Sequence, residues 1–250
     1  MSISIVIVNY NSANFINSIE KEFEDNVFEL IVVDNSQNFI PYCDSTKIVV
    51  PDCNLGFGNA CNLGVERASN EKILFLNPDA KMTAEQVINI SLKLNDVGKK
   101  AIIGGLVSSG QSKVSTLSKV DGLLFKYKRH DITLNQNEDL TEVLLVSGAC
   151  MAMYRDRFIS LGGFCKGIFL YAEDLDLCER NISQDGHNFL FNGLNIPHIG
   201  GASTSNRVKL LASFKRLKLS FGGHYTFMRK NNGVLLSSLN ALVLALGIKL

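Results

Sequence analysis

Ile73 to Ala80 reads Ile-Leu-Phe-Leu-Asn-Pro-Asp-Ala, and few architectures accept such a stretch. Four consecutive apolar residues suit a strand buried on both faces, and Pro78, which cannot donate to a ladder, stops the strand near Asn77. Asp79 is thereby delivered at a strand's carboxyl end, where open α/β sheets bind their ligands. Thr83 and Gln86 already form a capping box for the helix that follows. The carboxylate is thus left as a candidate metal or phosphate-site residue.

The preceding segments repeat the pattern. Ile3 to Val8 opens as a strand and gives way to the polar turn Asn9-Tyr10-Asn11-Ser12, then to a helix with Phe15, Ile16, Ile19 and Phe23 on one face. Phe28 to Val33 is a second strand ending at Asp34-Asn35-Ser36, and Lys47 to Val50 a third, shorter one. After Asp79, Val87, Ile90, Leu94 and Val97 recur at helical spacing before a strand at Ala101 to Gly105. Such alternation predicts an α/β protein with a mainly parallel, doubly wound, Rossmann-like sheet. With 250 residues, 46% of them hydrophobic, the chain can bury one large domain and an appendage.

Asn54 to Gly64 contains Gly56-Phe57-Gly58-Asn59, followed by Cys61 where a dinucleotide fingerprint needs glycine, and it lacks the Gly-Lys-Ser/Thr of a P-loop. It serves either as a tight turn starting a helix or as a loop that lets backbone approach a ligand. Ser108 to Gln111 suggests a turn between short strands, and Asp121 to Glu142 is polar and irregular. Val143 to Met153 reads as a strand bent at Ser147-Gly148, and Arg155 to Leu161 as a short helix stopped by Gly162-Gly163. In Tyr171-Ala172-Glu173-Asp174-Leu175-Asp176, three acids crowd a helix start, more than capping requires. At Ile196-Pro197-His198 a proline again ends an apolar strand just before a polar ligand, so a metal or phosphate contact stands beside a structural role.

The net charge of +1 conceals an asymmetry: residues 1–185 carry 17 basic and 24 acidic residues, whereas the last 65 carry eight basic and none acidic. Leu210, Phe214, Leu217 and Phe221 form a helical stripe among Lys209, Lys215, Arg216 and Lys218, a composition suited to an anionic membrane surface. The uncharged stretch Asn231 to Ile248 falls short of the ~20 predominantly apolar residues of a spanning helix. It is expected to lie at an interface, cover the sheet, or pack in a homodimer. The six cysteines show no Cys-x-x-Cys pair, and a strand-like run follows Met1 at once. A cytoplasmic protein without a cleavable signal peptide, at the inner face of the plasma membrane, is expected.

Together, Val6-Ile7-Val8-Asn9-Tyr10-Asn11, Val32-Val33-Asp34-Asn35-Ser36, Asn54-Leu55-Gly56-Phe57-Gly58-Asn59, Leu76-Asn77-Pro78-Asp79, Ser147-Gly148-Ala149, Gly162-Gly163-Phe164, Glu173-Asp174-Leu175-Asp176-Leu177 and Pro197-His198 resemble, in order, the family 2 inverting glycosyltransferases of GT-A fold. The resemblance is strongest to their bacterial rhamnosyltransferase-like branch. It implies a GT-A domain over 1–205, with a nucleotide-binding half at about 1–105 and an acceptor half at about 106–205, followed by the basic helical tail 206–250. It also implies a UDP- or dTDP-linked sugar as donor, a divalent Mn or Mg ion, and a lipid-linked saccharide acceptor of a cell-surface polysaccharide such as O-antigen or capsule. Asp174 would be the general base, and Asp79 and His198 metal ligands. Asn9, Asn11, Asp34, Asn54, Gly56, Asn59, Asn77 and Ser203 would surround the donor, with Glu173, Asp176 and Arg180 on the acceptor side. Asn77 replaces the first acid of the family's Asp-x-Asp element. Cys165-Lys166 and Glu179 depart from the pattern near the acceptor.

The residues support this chemistry independently. Departure of a nucleoside diphosphate needs a hard cation held by oxygen ligands, and the acceptor hydroxyl needs a base in line for a single displacement. A sugar nucleotidyltransferase would want a basic phosphate loop near the N-terminus, and adjacent acids cannot easily flank a glycosidic bond with carboxyls ~5–9 Å apart. A non-catalytic nucleotide-sugar or polysaccharide-binding module remains as an alternative. Nucleic-acid binding finds little support in the tail's sparse aromatics.

Overall fold

The computed structural model describes residues 2–24, 28–108, 113–119, 127–134, 138–197, 209–230 and 233–246. Strands β1 (Ile3–Asn9), β2 (Glu29–Asp34), β3 (Lys47–Val49) and β4 (Lys72–Leu76) run parallel, linked by helices α1 (Ala13–Phe23) and α2 (Phe57–Glu66). Helix α3 (Ala84–Val97) leads to β5 (Ala101–Ser108), and β6 (Lys113–Lys119) pairs antiparallel with β7 (Tyr127–Thr133) as a separate ribbon. Then follow β8 (Leu140–Glu142), β9 (Cys150–Tyr154), α4 (Arg155–Ser160), α5 (Glu173–Ser183), β10 (His187–Pro197), α6 (Lys209–Arg229) and α7 (Val234–Ala245). The main sheet has eight strands in the order β3-β2-β1-β4-β9-β5-β10-β8.

Alternating side chains of the central strands fill two cores. Ile5, Ile7, Leu74 and Leu76 meet Ile16, Ile19 and Phe23 of α1 and Val87, Ile90 and Leu94 of α3. Val6, Val8, Ile73 and Phe75 face Ala60, Cys61 and Val65 of α2 with Phe158, Phe164 and Leu177 from the second half of the chain. Burial on both faces explains why these strands are nearly uninterrupted apolar runs. The capping box expected at Thr83 and Gln86 forms in both directions.

The sheet is mostly parallel, with an antiparallel strand inside it: β9 pairs antiparallel with both β4 and β5. Strands from the first 108 residues and from residues 140–197 therefore share one sheet. Two local expectations are corrected. Within Asp121 to Glu142, β7 and β8 form, and the charges of Lys128, His130 and Asp131 had hidden the period-2 pattern. Between Val143 and Met153 only the part from Cys150 onward is strand. The earlier backbone is satisfied instead by Asn188, whose carbonyl accepts from Val143 N–H at 2.9 Å and whose amide donates to Leu144 O at 3.0 Å.

A third cluster joins Leu117 of β6, Ile168, Ala172 and Leu175 of the α5 region, Phe227 and Met228 of α6 and Leu244 of α7. The basic tail is thus an α6–α7 hairpin seated on α5 and the β6–β7 ribbon. Among the described residues no helix is long and apolar enough to cross a membrane.

Candidate active site

In the parallel half, Asn9 pairs with Asp34 in register, so both polar residues emerge together at the sheet's carboxyl edge. Both are buried. Asp34 Oδ1 accepts from Asn9 Nδ2 at 2.7 Å, Ser36 Oγ at 2.8 Å and Ser36 N–H at 3.1 Å, and Oδ2 accepts from the N–H groups of Asn38 and Phe39, each at 2.7 Å. Burial alone would raise this carboxyl, but the donors, Phe39 N–H foremost, outweigh it and hold Asp34 below its usual range. Its oxygens are saturated by the protein, and the carboxylate fixes the loop that follows β2.

Asn35, which the sequence did not single out, carries that order onward. Its amide donates to Gly56 O at 3.0 Å and its oxygen accepts from Leu55 N–H at 3.2 Å, while Asn54 Oδ1 accepts from Gly56 N–H at 2.9 Å. Gly56 has φ +77°, and a Cβ there would stand 2.0 Å from Phe169 O, so both conformation and space require glycine. The adjacent Phe57 N–H donates to Phe169 O at 3.2 Å. Asn59 donates to Leu55 O and Lys166 O, and Asn62 exchanges hydrogen bonds with the Phe164 backbone. The glycine-containing loop is therefore clamped to the segment preceding α5. Asn11 is exposed with φ 57° and donates its N–H to Ser36 Oγ.

The Asn77–Asp79 turn and Asp174 meet through a second loop. Asn77 N–H donates to Ala149 O at 2.9 Å, and the neighbouring Gly148 N–H donates to Asp174 Oδ2 at 3.2 Å. The Phe57 ring lies against Gly148. Asp79 is buried at the end of β4, and Lys81 N–H donates to Pro197 O at 3.0 Å, drawing the end of β10 to the same turn. His198 and Ser203 lie outside the described residues.

Tyr171 and Ala172 both have left-handed backbone, φ 68° and 70°, a strained pair that reverses the chain into α5. Glu173 turns inward beside Gly58 and Cys61, and its Oε2 is buried without a partner. Burial, then the neighbouring Asp174 charge, pushes its carboxyl up to about 8. Asp174 is partly exposed. Burial raises its carboxyl too, against the Gly148 and Leu175 N–H groups and the positive field of His224. His224, on α6, was not anticipated. It is buried, its Nδ1 lies 2.8 Å from Ser220 O, and α6 approaches so closely that a Cβ on Gly223 would stand 2.0 Å from Tyr171 O.

Asp176 and Arg180, expected on the acceptor side, are engaged within the protein. Asp176 is buried between Lys230 of α6 and Arg180, whose Nη2 lies 2.7 Å from Asp176 Oδ2 and 2.8 Å from Gly163 O. Glu173 is turned inward, so all three residues expected on the acceptor side have protein surroundings in this structure. Glu179 likewise takes Lys119 of β6 at 3.0 Å.

A two-sided α/β sheet with polar loops at its carboxyl edge and an acidic helix start brought to them is the ligand-binding arrangement of an open α/β fold, and the fold matches GT-A glycosyltransferase structures. Residues 4–162 match the family model "Glycosyl transferase family 2", and the chain belongs to that family. No curated protein matches the chain at a significant level. Among solved structures, GalNAc-T7 with UDP, GalNAc and Mn²⁺ superposes with a TM-score of 0.64 at 12% identity, over 99% of this chain and 55% of that one. The mannosyltransferase PcManGT from Pyrobaculum calidifontis, in complex with GDP-Man and Mn²⁺, gives 0.61 at 13%, over 97% and 69%. TarS 1-349 from S. aureus in complex with UDP-GlcNAc gives 0.55 at 14%, over 98% and 72%. At these identities the likeness is one of fold. The chain spans little more than half the length of the GalNAc-T7 structure.

Proposed function

We propose that this chain transfers a hexose, rhamnose or a relative, from a UDP- or dTDP-linked donor to a hydroxyl of a lipid-linked saccharide, with inversion, during assembly of a cell-surface polysaccharide. One observation carries the reading: Gly148-Ala149 joins Asp174 to the Asn77–Asp79 turn by two backbone hydrogen bonds. This link supports reading Asp174 as the proton acceptor and Asp79 as the strand-end acid of one site, the two groups a single displacement would use.

Burial makes Asp174 a stronger base than an exposed aspartate. Glu173, neutral below about pH 8, leaves Asp174 to carry the pair's charge. Asp174 would take the acceptor hydroxyl's proton on Oδ1 or Oδ2 as that oxygen attacks the anomeric carbon, and the Gly148 N–H keeps the carboxylate oriented. The Asn35–Gly56 clamp would present loop backbone to the nucleoside diphosphate.

Among the described residues no group of three His, Cys, Asp or Glu could hold a metal ion. A magnesium-like ion needs only one or two carboxylates, because diphosphate oxygens and water complete its shell. Asp79, buried at the end of β4, fits that requirement; Asn77 lies two residues before it, and His198 directly follows Pro197, whose carbonyl accepts from Lys81 N–H. Asp79 and His198 would hold the ion, which when bound neutralises the departing diphosphate.

The test is calorimetric titration with UDP, dTDP and GDP, with and without Mn²⁺, on wild type and Asp79→Ala. One nucleotide should bind tightly only with the metal, and Asp79→Ala should weaken it at least about tenfold. Metal-independent binding unaffected by the substitution would point to a nucleotide-sugar-binding module. Binding of a nucleoside triphosphate alone would favour a nucleotidyltransferase.

A further inference from the structure

Helix α7 is built inside out. Ser237 and Asn240 are buried with Ala241, Val243 and Leu244, whereas Leu235, Leu239, Leu242 and Leu246 are 86%, 40%, 43% and 50% exposed. Spacings of four, three and four residues put these leucines on one side of the helix, opposite its packed side. Val234, 55% exposed, extends the apolar surface at the amino end. A mixed side carrying Ser237 and Asn240 turned inward and a leucine row turned outward are not what water selects for a surface helix.

We propose that this leucine row inserts into the interfacial layer of an anionic lipid bilayer, with α7 lying parallel to the surface. Charge decides the occupant. No Asp or Glu follows Asp185, and the partner helix α6 exposes Arg216, Lys218 and Arg229, so nothing on the hairpin repels lipid phosphates. Interfacial helices combine an apolar side with adjacent cations in this way, and each cation near the surface adds to the attraction. A second copy is a poorer fit. Twelve residues give a seam ~18 Å long. Four leucines cover only a few hundred Å², less than the ~800 Å² per partner of a stable interface. The leucine row belongs to α7, whereas the stripe expected from the sequence, Leu210 to Phe221, belongs to α6, where the side chains of Leu210 and Phe214 lie outside the described residues. The hairpin is tied to the active-site helix by Lys230 and Asp176 and by the contact of Gly223 with Tyr171. Binding at α7 would hold the active site close to membrane-borne acceptors.

The proposal does not rest on the transferase reading, because vesicle binding is measured without a donor. Sedimentation with phosphatidylglycerol/phosphatidylcholine vesicles is compared for wild type and the quadruple variant Leu235→Gln, Leu239→Gln, Leu242→Gln, Leu246→Gln. Thermal melts of both check that these outward substitutions leave the fold intact. Wild type should partition to the vesicles and the variant about 100-fold less. Arg216→Gln, Lys218→Gln, Arg229→Gln should weaken binding to the anionic vesicles roughly 10- to 100-fold while leaving weak binding to pure phosphatidylcholine unchanged. Wild type staying in the supernatant, or a quadruple variant that binds equally well, overturns the proposal. So does a wild type that is dimeric by light scattering, becomes monomeric in the quadruple variant and ignores vesicles, since the row would then belong to a second copy.

Discussion

The carboxyl edge of the parallel half and the start of α5 each present an aspartate, Asp34 buried and Asp174 half-buried, and the two are driven in opposite directions. Asp34 receives five hydrogen bonds from protein donors and is held below its normal range. Asp174 receives the N–H groups of Gly148 and Leu175, sits beside a second buried acid with an orphaned oxygen, and is raised. A carboxylate saturated by backbone donors is a construction element, whereas one that burial leaves short of donors is ready to accept a proton. Strain follows the same division, since the left-handed pair Tyr171-Ala172 lies immediately before α5.

The widest separation should appear in turnover. Asp174→Asn keeps an oxygen for the Gly148 N–H and removes the base, so kcat is expected to fall about 1,000-fold with donor affinity and melting temperature near wild type. Measuring kcat, donor Kd and the melt on one preparation checks this. A variant that keeps a tenth of wild-type activity would show that the proton leaves by another route, and the contrast with Asp34 would lose its chemical meaning.

Stability should separate the two acids the other way. Asp34→Ala leaves the Ser36, Asn38 and Phe39 N–H groups without their acceptor, at a cost of about 2–4 kcal/mol in urea unfolding. Because Asp34's carboxyl is depressed, its contribution is present above the unfolded pKa and is lost as pH falls through the folded one. Wild type should therefore weaken in acid more steeply than the variant. Equal stabilities at pH 7 would mean that the five hydrogen bonds do not hold the donor loop.

The parallel half was legible in the sequence because strand runs and strand-end polar residues are local signals. Ile73–Leu76, Pro78 and the Thr83–Gln86 capping box each depend on neighbours within a few positions, and they fold as expected. The roles around α5 were not legible, because partners decide them and the partners are distant in sequence. Nothing near Asp176 announces that Lys230 will bury it, and nothing near Glu173 announces that the space beside Gly58 and Cys61 will receive it. Three acids at one helix start exceeded what capping requires, with Glu173 and Asp176 expected toward the acceptor, and the sequence did not show that distant residues would enclose both of these. The antiparallel insertion of β9 escaped for the same reason, since strand direction is set by tertiary pairing.

The finest test of the comparison is Glu173, which adjoins Asp174 and is more deeply buried. Its folded value of about 8 stands above the ordinary 4.5, so the folded state holds a proton that the unfolded chain has already released between these values. Stability contributed by the protonated form is complete below pH 4.5 and drains away as pH rises toward 8. Glu173→Gln mimics the protonated acid. The variant should lose most of this slope and exceed wild type at pH 8.5 by on the order of 1–2 kcal/mol in urea unfolding. The remaining slope belongs to Asp174, raised by the same burial. At pH 7 wild type already carries a neutral Glu173, so turnover should change less than about threefold. A collapse comparable to that of Asp174→Asn would place Glu173 in the chemistry, and α5 would then hold a working pair of acids instead of one base and its support.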